Sequence, residues 1–403
     1  DPAFRTGCKI AVVDPTGKVL DTTVVFPTAP QNRVEEAMRT IEALIRKHHV
    51  DVISLGNGTA SRESEQIIAD YIKKDHLPVQ YVIVNEAGAS VYSASALATE
   101  EFPNFDVGQR SATSMARRLQ DPMAELVKID PKSIGVGQYQ HDMNQTKLSE
   151  QLSSVVEDSV NSVGVDVNTA SFALLSYVSG INKTIARNIV AYREEKGAFT
   201  SRKELLKVAK LGPKAYEQCA GFLRIRGGKE ALDNTAVHPE SYAAAKALLA
   251  SMGYTEQDLQ DGKNAQLAAK LQSAKASIPA LAEKLQVGAY TLEDIVQELI
   301  KPGRDPREDV PAPVLRSDVL DFDDLKPEME LQGTVRNIVD FGAFVDIGVH
   351  QDGLVHISQL ADRFVKHPLD VVKVGDIVRV RVLSVDKTRK KISLTMKGVD
   401  QHH

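Results

Sequence analysis

Residues 174–192 read LLSYVSGINKTIARNIVAY, and a shorter version of the same pattern returns at residues 205–213, LLKVAKLGP. In each copy an apolar segment runs into a tight turn, and a second helix is expected to follow. Pro213 falls at the first position of one of these helices, where its fixed φ and missing N–H cost nothing. Such a hairpin leaves the first N–H groups of the following helix unpaired, and these groups suit a phosphate oxygen. The pattern therefore predicts two phosphate-binding hairpins.

Both hairpins resemble the tandem helix-hairpin-helix DNA-binding motif, whose turn reads glycine, apolar residue, glycine. Asn182 stands at the second glycine of the first copy and is a residue that still tolerates a left-handed conformation. Lys210 replaces the first glycine of the second copy. The resemblance implies nucleic-acid contacts from Gly180, Asn182, Lys183, Gly212 and Lys214.

The charge of this region supports the resemblance. Residues 171–228 hold six lysines and five arginines against four glutamates, a net charge of +7, whereas the whole chain carries −5. A basic island in an acidic chain predicts a polyanionic partner. The alternative is a compact helical hairpin whose basic face is only solvated.

Length and composition bound the rest of the chain. The 403 residues are enough for two to four domains, each with its own core. No apolar run approaches the length of a membrane span, and no signal peptide opens the sequence. Two cysteines, Cys8 and Cys219, are too few for a disulfide framework or a zinc site. We therefore expect a cytoplasmic protein with no metal and no cofactor.

The first 125 residues alternate between strand and helix patterns. Two β-rich runs, residues 9–14 and 19–25, are joined by the turn signal DPTGK. After them we expect helices at 31–48, 61–74 and 88–98 and strands at 50–55 and 79–84. A hairpin followed by alternating strands and helices predicts a three-layer α/β domain with a mixed sheet.

The opening residues, DPAFRTG, resemble the end of the first strand of a ribonuclease H-like domain of the YqgF/resolvase type. Most of that strand is expected to precede Asp1, so we expect more protein upstream. Enzymes of this superfamily hold divalent metal with carboxylates at strand ends, and Asp1 and Glu86 match two of those positions. The third acid is expected near residues 111–119, a segment that begins after Arg110 and contains none. We therefore predict no catalytic site here. In the alternative interpretation, Asp1 caps a turn and Glu86 caps a helix.

Residues 325–398 contain five short strand-like runs, at 330–339, 342–347, 352–356, 377–386 and 391–396. With the strings DFGAFV (340–345) and GLVHIS (353–358), they resemble the S1 RNA-binding version of the OB barrel. The resemblance implies a nucleic-acid site with rings at Phe341, Phe344 and His356, a polar flank of Asp386 and Lys391, and phosphate contacts from Lys387, Arg389, Lys390 and Lys391. Exposed rings stack on unpaired bases. For Phe344 the alternative is packing in the barrel core.

Between these domains we expect a connector at 126–170, the paired hairpins at 171–230, a helical module at 231–300 and a proline-rich linker at 301–324. The connector strings RRLQDP (117–122) and IDPKSIGVGQYQHDMN (129–144), with the order of the parts, resemble the bacterial Tex family of transcription accessory proteins over essentially the whole chain.

The sequence therefore predicts a multidomain α+β protein: a ribonuclease H-like α/β domain, all-α hairpin and helical modules, and an all-β OB barrel. The resemblance implies a transcription accessory factor that binds single-stranded RNA or DNA without sequence selectivity. Duplex DNA and RNA polymerase are further candidate partners, and no membrane is involved. Two other functions stay open, a metal-dependent structure-selective nuclease and a protein-binding scaffold.

Overall fold

The structure is a computed structural model that describes residues 1–135, 137, 139–260, 264–274, 278–300, 305, 315, 322, 325–349 and 351–401. Separate apolar cores form in the first domain, around the two hairpins, in the helical module and in the C-terminal barrel. This arrangement confirms the predicted multidomain α+β class. Most of the predicted linker, residues 301–324, lies outside the described residues. No helix in the described ranges is long and apolar enough to cross a membrane.

The first domain has the predicted order of elements, with one helix divided in two. Helix α1 (Val34–His48) illustrates how the sequence pattern favours a helix. Ala37, Met38, Ile41 and Ile45 form one buried face, and the last turn is basic. The predicted helix at 88–98 is split because Ser95 caps a new helix by accepting from the N–H of Ala98. The elements are β1 Cys8–Val13, β2 Val19–Val25, α1 Val34–His48, β3 Val52–Gly56, α2 Ser61–Asp75, β4 Gln80–Val84, α3 Ala89–Ser93, α4 Ala96–Glu101 and α5 Val107–Gln120.

The strands of this domain form two separate pairs rather than one mixed sheet. β1 and β2 are antiparallel, β3 and β4 are parallel, and no ladder among the described residues joins β1 to β3. A mainly apolar cavity of about 560 Å³ lies between these pairs, lined by β1, β3, α1, α2 and α5. At one end of this cavity the main chain of Asp1 pairs with that of Lys9. The Asp1 nitrogen donates to the Lys9 carbonyl at 2.9 Å, and the Lys9 N–H donates to the Asp1 carbonyl at 3.0 Å.

The predicted connector contains one long helix, α7 (Gln145–Val163), that the sequence did not predict. The hairpin domain contains a short pair of parallel strands, β5 (Val165–Asp166) and β6 (Leu223–Arg224). Helix α7 spans 19 residues, and Asn144 caps it by accepting from the N–H groups of Thr146 and Lys147. Strands β5 and β6 pair Val165 with Leu223 and so join the two ends of the hairpin domain. The elements are α6 Pro122–Leu126, α7 Gln145–Val163, β5 Val165–Asp166, α8 Phe172–Leu175, α9 Lys183–Lys196, α10 Pro213–Cys219 and β6 Leu223–Arg224.

The helical module packs short helices around a leucine-rich core. Leu248, Leu267, Leu271, Leu292 and Leu299 are fully buried there. The helices are α11 Tyr242–Ser251, α12 Glu256–Gln260, α13 Asn264–Ala274, α14 Ile278–Leu285 and α15 Ala289–Ile300.

The C-terminal domain is a closed five-stranded barrel, as predicted. Its strands are β7 Glu330–Val339, β8 Gly342–Asp346, β9 Gly353–His356, β10 Ile377–Asp386 and β11 Lys391–Thr395, in the order β10-β11-β9-β8-β7. Each strand begins and ends within one residue of its predicted bounds. Alternation along the strands puts Val345, Val355, Val380 and Val382 inside the barrel, where they are fully buried.

Candidate nucleic-acid interface

The outer surface of β8 and β9 carries the predicted rings. Ala343 and Val345 point into the barrel core, so the alternating Phe344 between them points outward and is only partly buried. This position excludes the alternative that Phe344 packs in the core. Phe341 is 51% exposed, and its ring meets that of Phe344 edge to face, with centroids 6.4 Å apart and planes at 83°. The two rings form one aromatic surface on the barrel.

Gly342 brings the third ring beside this pair. It lies opposite His356 across the β8–β9 ladder, and a Cβ at Gly342 would overlap the carbonyl oxygen of Val355. The close strand approach therefore requires glycine. The N–H of Ser358 donates to His356 Nδ1 at 3.3 Å, and an amide can only donate. The proton of the neutral imidazole is therefore on Nε2.

The basic turn between β10 and β11 belongs to the same barrel. Asp386 Oδ1 accepts from the N–H groups of Thr388 at 3.0 Å and Arg389 at 2.9 Å, so its carboxylate shapes the turn. Lys387, Arg389, Lys390 and Lys391 are all exposed. The parallel pairing of β11 with β9 sets Ser393 beside Leu354, two residues before His356. The ring of His356 therefore lies at the end of β9, whereas Lys391 lies at the start of β11, at a different level of the β9–β11 ladder.

The helix-hairpin-helix turns correct the expectation for Asn182. Its φ is −87°, and the left-handed residue of each turn is the first one, Gly180 at +79° and Lys210 at +66°. Asn182 is the N-cap of α9, and its Oδ1 accepts from the N–H groups of Thr184 and Ile185 at 3.0 Å. Gly212 holds the same place before α10 with an extended φ of −83° and no side chain. The third residue of each turn thus starts a helix instead of reversing the chain.

The two hairpins expose main-chain donors. Within the described part of the chain, no hydrogen bond uses the N–H groups of Asn182 and Lys183 in the first hairpin, or of Gly212 and Lys214 in the second. All four residues are exposed. These groups can donate to phosphate oxygens.

The hairpins are also packed against each other's helices. A Cβ at Gly180 would lie 2.7 Å from Gln218 Cβ and 3.0 Å from the carbonyl oxygen of Ala215, both on α10. In the other direction, Asn188 on α9 donates from Nδ2 to the carbonyl of Ala209 at 2.7 Å. Gly180 is therefore required both by its positive φ and by the nearness of α10.

The basic island is less basic at its surface than its composition indicates. Arg202 is 1% exposed, and its guanidinium donates to the carbonyls of Leu223, Thr235 and Val237. Burial, together with the neighbouring Arg202, lowers the pKa of Arg224 to about 10. The cations that face solvent are Lys183, Arg187, Lys196, Lys203, Lys207, Lys210, Lys214 and Arg226.

The first domain does not use the Glu86 side chain as a helix cap. Gly88 is the N-cap residue of α3, with no side-chain cap, and the main chain of Asp1 pairs with Lys9. The Glu86 carboxylate lies against the Gly56–Gly58 loop, where a Cβ at Gly58 would overlap its Oε1.

Cations lie where the third acid of a nuclease is expected. On α5, Arg118 donates from Nη1 to the carbonyls of Asn85 and Ala87, both at 2.8 Å, and these residues flank Glu86. Arg110 donates to Thr99 Oγ1 at 2.9 Å and to the Phe102 carbonyl at 3.2 Å. Among the described residues, no group of three His, Cys, Asp or Glu side chains could hold a metal ion.

Family models match four parts of the chain. They are the Tex protein YqgF-like domain at residues 1–120, a helix-hairpin-helix motif at 160–224, an HHH domain at 230–307 and an S1 RNA binding domain at 324–397. The chain is thus a multidomain protein with nucleic-acid-binding helix-hairpin-helix and S1 domains.

Relatives extend this similarity over the whole chain. The chain is 57% identical to the uncharacterized protein YdcI of Bacillus subtilis over 98% of its length, and 53% identical to the transcriptional accessory protein Tex of Neisseria gonorrhoeae over 100%. It is 38% identical to the human S1 RNA-binding domain-containing protein 1 over 98%. Over its whole length the chain is thus similar to the Tex proteins. It spans about half of each relative, namely 54%, 52% and 45%.

Proposed function

We propose that this chain is the nucleic-acid-binding part of a cytoplasmic transcription accessory factor. It binds single-stranded RNA or DNA by stacking bases on Phe341, Phe344 and His356. The observation that carries the proposal is the outward aromatic surface at β8 and β9, in a barrel that also has a turn of exposed cations. Each stacked base contributes about 1–3 kcal/mol. Phosphates bind to the basic turn and the hairpins, which contact no base edge, so binding is independent of sequence.

The test replaces the rings one at a time. Phe341→Ala and His356→Ala should each weaken binding of single-stranded RNA and DNA, measured by fluorescence anisotropy, without unfolding the barrel. Val374→Ala is the matched control, because Val374 is an apolar residue of the same domain, 63% exposed, that is not one of the proposed ring positions. Unchanged affinity for both ring variants would refute stacking at this surface.

We further propose that the first domain does not hydrolyse nucleic acid. Two-metal hydrolysis needs several converging carboxylates, whereas α5 places the cation Arg118 against the carbonyls of Asn85 and Ala87, the two residues that flank Glu86. The assay uses the longer natural protein with Mg²⁺ or Mn²⁺ on branched and linear substrates, beside an Asp1→Asn, Glu86→Gln double variant. We expect no cleavage. Metal-dependent cleavage that the double variant loses would establish a nuclease instead.

RNA polymerase and duplex DNA are the further partners that we propose. The polymerase proposal rests on the name of the Neisseria gonorrhoeae relative, a transcriptional accessory protein, and the duplex proposal on the two hairpins. Copurification with polymerase that survives nuclease treatment would show a protein-mediated contact. Copurification that nuclease abolishes would show that nucleic acid alone bridges the two.

A further inference from the structure

A second exposed ring lies in the same barrel domain, outside the surface described above. Phe364 is 92% exposed, which is far more than the 51% of Phe341. It belongs to the segment that follows β9 and precedes β10, eight residues beyond His356. A single exposed apolar residue is ordinary, so the surroundings of Phe364 decide whether its exposure has a function.

The main chain holds Phe364 at the surface between buried anchors. Leu360 is 2% exposed on one side, and Val365 is 8% exposed on the other, and both belong to the barrel core. A short 3₁₀ helix at Pro368–Asp370 follows, and the N–H of His367 donates to Asp370 Oδ2 at 3.3 Å. The ring therefore projects from a segment whose neighbours are packed, and this lowers the entropic cost of making a contact.

The side chains around Phe364 favour a polyanion. Arg363 and Lys366 are exposed, and in the described ranges neither forms an ion pair with a carboxylate. Asp362 and His367 lie at the ends of this run and are also exposed. An exposed ring between two such cations combines a surface for stacking with donors for phosphate.

We propose that Phe364, Arg363 and Lys366 form a second contact for single-stranded nucleic acid, in which Phe364 stacks on a base and the two cations bind phosphates. Because this rests on the binding proposed for the barrel, the two sites are tested together. Eight residues of extended chain reach at most about 27 Å, so one strand of moderate length can contact His356 and Phe364 at once.

The chain contains no tryptophan, so a single substitution supplies a probe. In the full chain, Phe364→Trp introduces the only indole, and stacking on a base should quench its emission when an oligonucleotide of about 12 uridines is added. Leu369→Trp is the matched control, since Leu369 is 65% exposed in the same segment and has no proposed contact. Quenching at position 364 alone supports the proposal, whereas equal quenching at both positions, or none at 364, overturns it.

Affinity provides the second measurement. Phe364→Ala should weaken binding about 5- to 150-fold, the range that corresponds to one stacked base, and Phe364→Tyr should retain it. Phe364→Leu keeps an apolar side chain without a ring, so undiminished binding by this variant would indicate an apolar contact and refute stacking. If Phe341→Ala weakens binding and Phe364→Ala does not, only the second contact fails. If neither weakens binding, the proposed function of the barrel fails as well.

Discussion

Arg202 joins the second hairpin to the helical module by a network inside the protein. Its guanidinium donates to carbonyls on β6 and at residues 235 and 237, and also to the Tyr242 hydroxyl at 2.7 Å. Tyr242 in turn donates to Asp233, whose other oxygen accepts from the Arg202 N–H at 2.8 Å. Burial raises the pKa of Tyr242, so its hydroxyl stays protonated and able to donate. Arg202 adds to the positive charge counted from the composition, but it is buried. Its hydrogen bonds connect the hairpin domain to the helical module.

We expect Arg202→Met to destabilise the hairpin and helical modules by about 3–5 kcal/mol. The substitution leaves the buried carbonyls of Leu223, Thr235 and Val237 without their donor and removes the cation that lies close to the buried Asp233. Such losses are among the costliest in a protein interior. Urea unfolding followed by circular dichroism measures the change. Lys203→Met is the matched control, because Lys203 is the exposed neighbour and should change stability by less than about 0.5 kcal/mol. Equal effects of both substitutions would show that the network contributes nothing.

At the scale of elements, the sequence predicts regular segments better than it predicts local roles. The sequence predicts the ends of the barrel strands to within one residue of their observed bounds, because an alternating apolar pattern and glycine-containing turns are local signals. The strand pair β5–β6 has two residues per strand and depends on contacts nearly 60 residues apart, so no local pattern marks it. Helix α7 is exposed over most of its length and therefore has only a weak apolar face, so the spacing of its apolar residues did not predict it.

The candidate site shows the same division. The rings at Phe341, Phe344 and His356 were implied by the resemblance of residues 340–345 and 353–358 to the S1 domain, and the structure pairs these two segments as β8 and β9. The burial of Arg202 depends on partners up to 40 residues away, which no local pattern indicates. The sequence placed Asn182 in the turn of the first hairpin but did not predict its backbone conformation. Phe364 was missed because its segment carries no strand or helix pattern. The available signal was an apolar ring within a run of charged residues.

The cap of α9 leads to a prediction for the first hairpin. Asn182→Ala removes the side-chain acceptor for two N–H groups and should cost about 1 kcal/mol, whereas Asn182→Gly should cost only a few tenths. The glycine variant also restores the second glycine of the motif and frees the N–H groups of Thr184 and Ile185. We therefore expect it to bind duplex DNA at least as tightly as the original chain, as measured by anisotropy. Weaker binding by the glycine variant would mean that the Asn182 side chain itself contacts DNA.

At the scale of the whole molecule, the formal charge of −5 conceals where cations face solvent. The cations of the barrel turn and of the hairpins are exposed, while Arg202 and much of Arg224 are withdrawn into the interior. Binding that depends on such scattered phosphate contacts is controlled by counterion release. Ionic strength is therefore the condition to which the affinity should respond most.

We expect log K for single strands to fall linearly with log salt, by about 0.7 per phosphate contacted. Lys183→Ala and Lys214→Ala should each make the slope shallower by about that amount if each lysine contacts one phosphate. Lys196→Ala is the matched control, because Lys196 is exposed in the same domain but paired with Glu195 at 2.7 Å. Titrations at several salt concentrations measure the slopes, and identical slopes for all three variants would exclude the hairpins from the interface.

The cavity between β1 and β3 has a consequence for the behaviour of this chain in solution. Each of these strands has one edge without a ladder partner in the described residues, and the surface between them is apolar. Open edges beside apolar surface are where separate molecules add to one another's sheets. Concentrated solutions of this chain should therefore self-associate through the first domain and bind dyes that fluoresce on apolar surfaces. The barrel should not contribute to this association, because its sheet closes on itself.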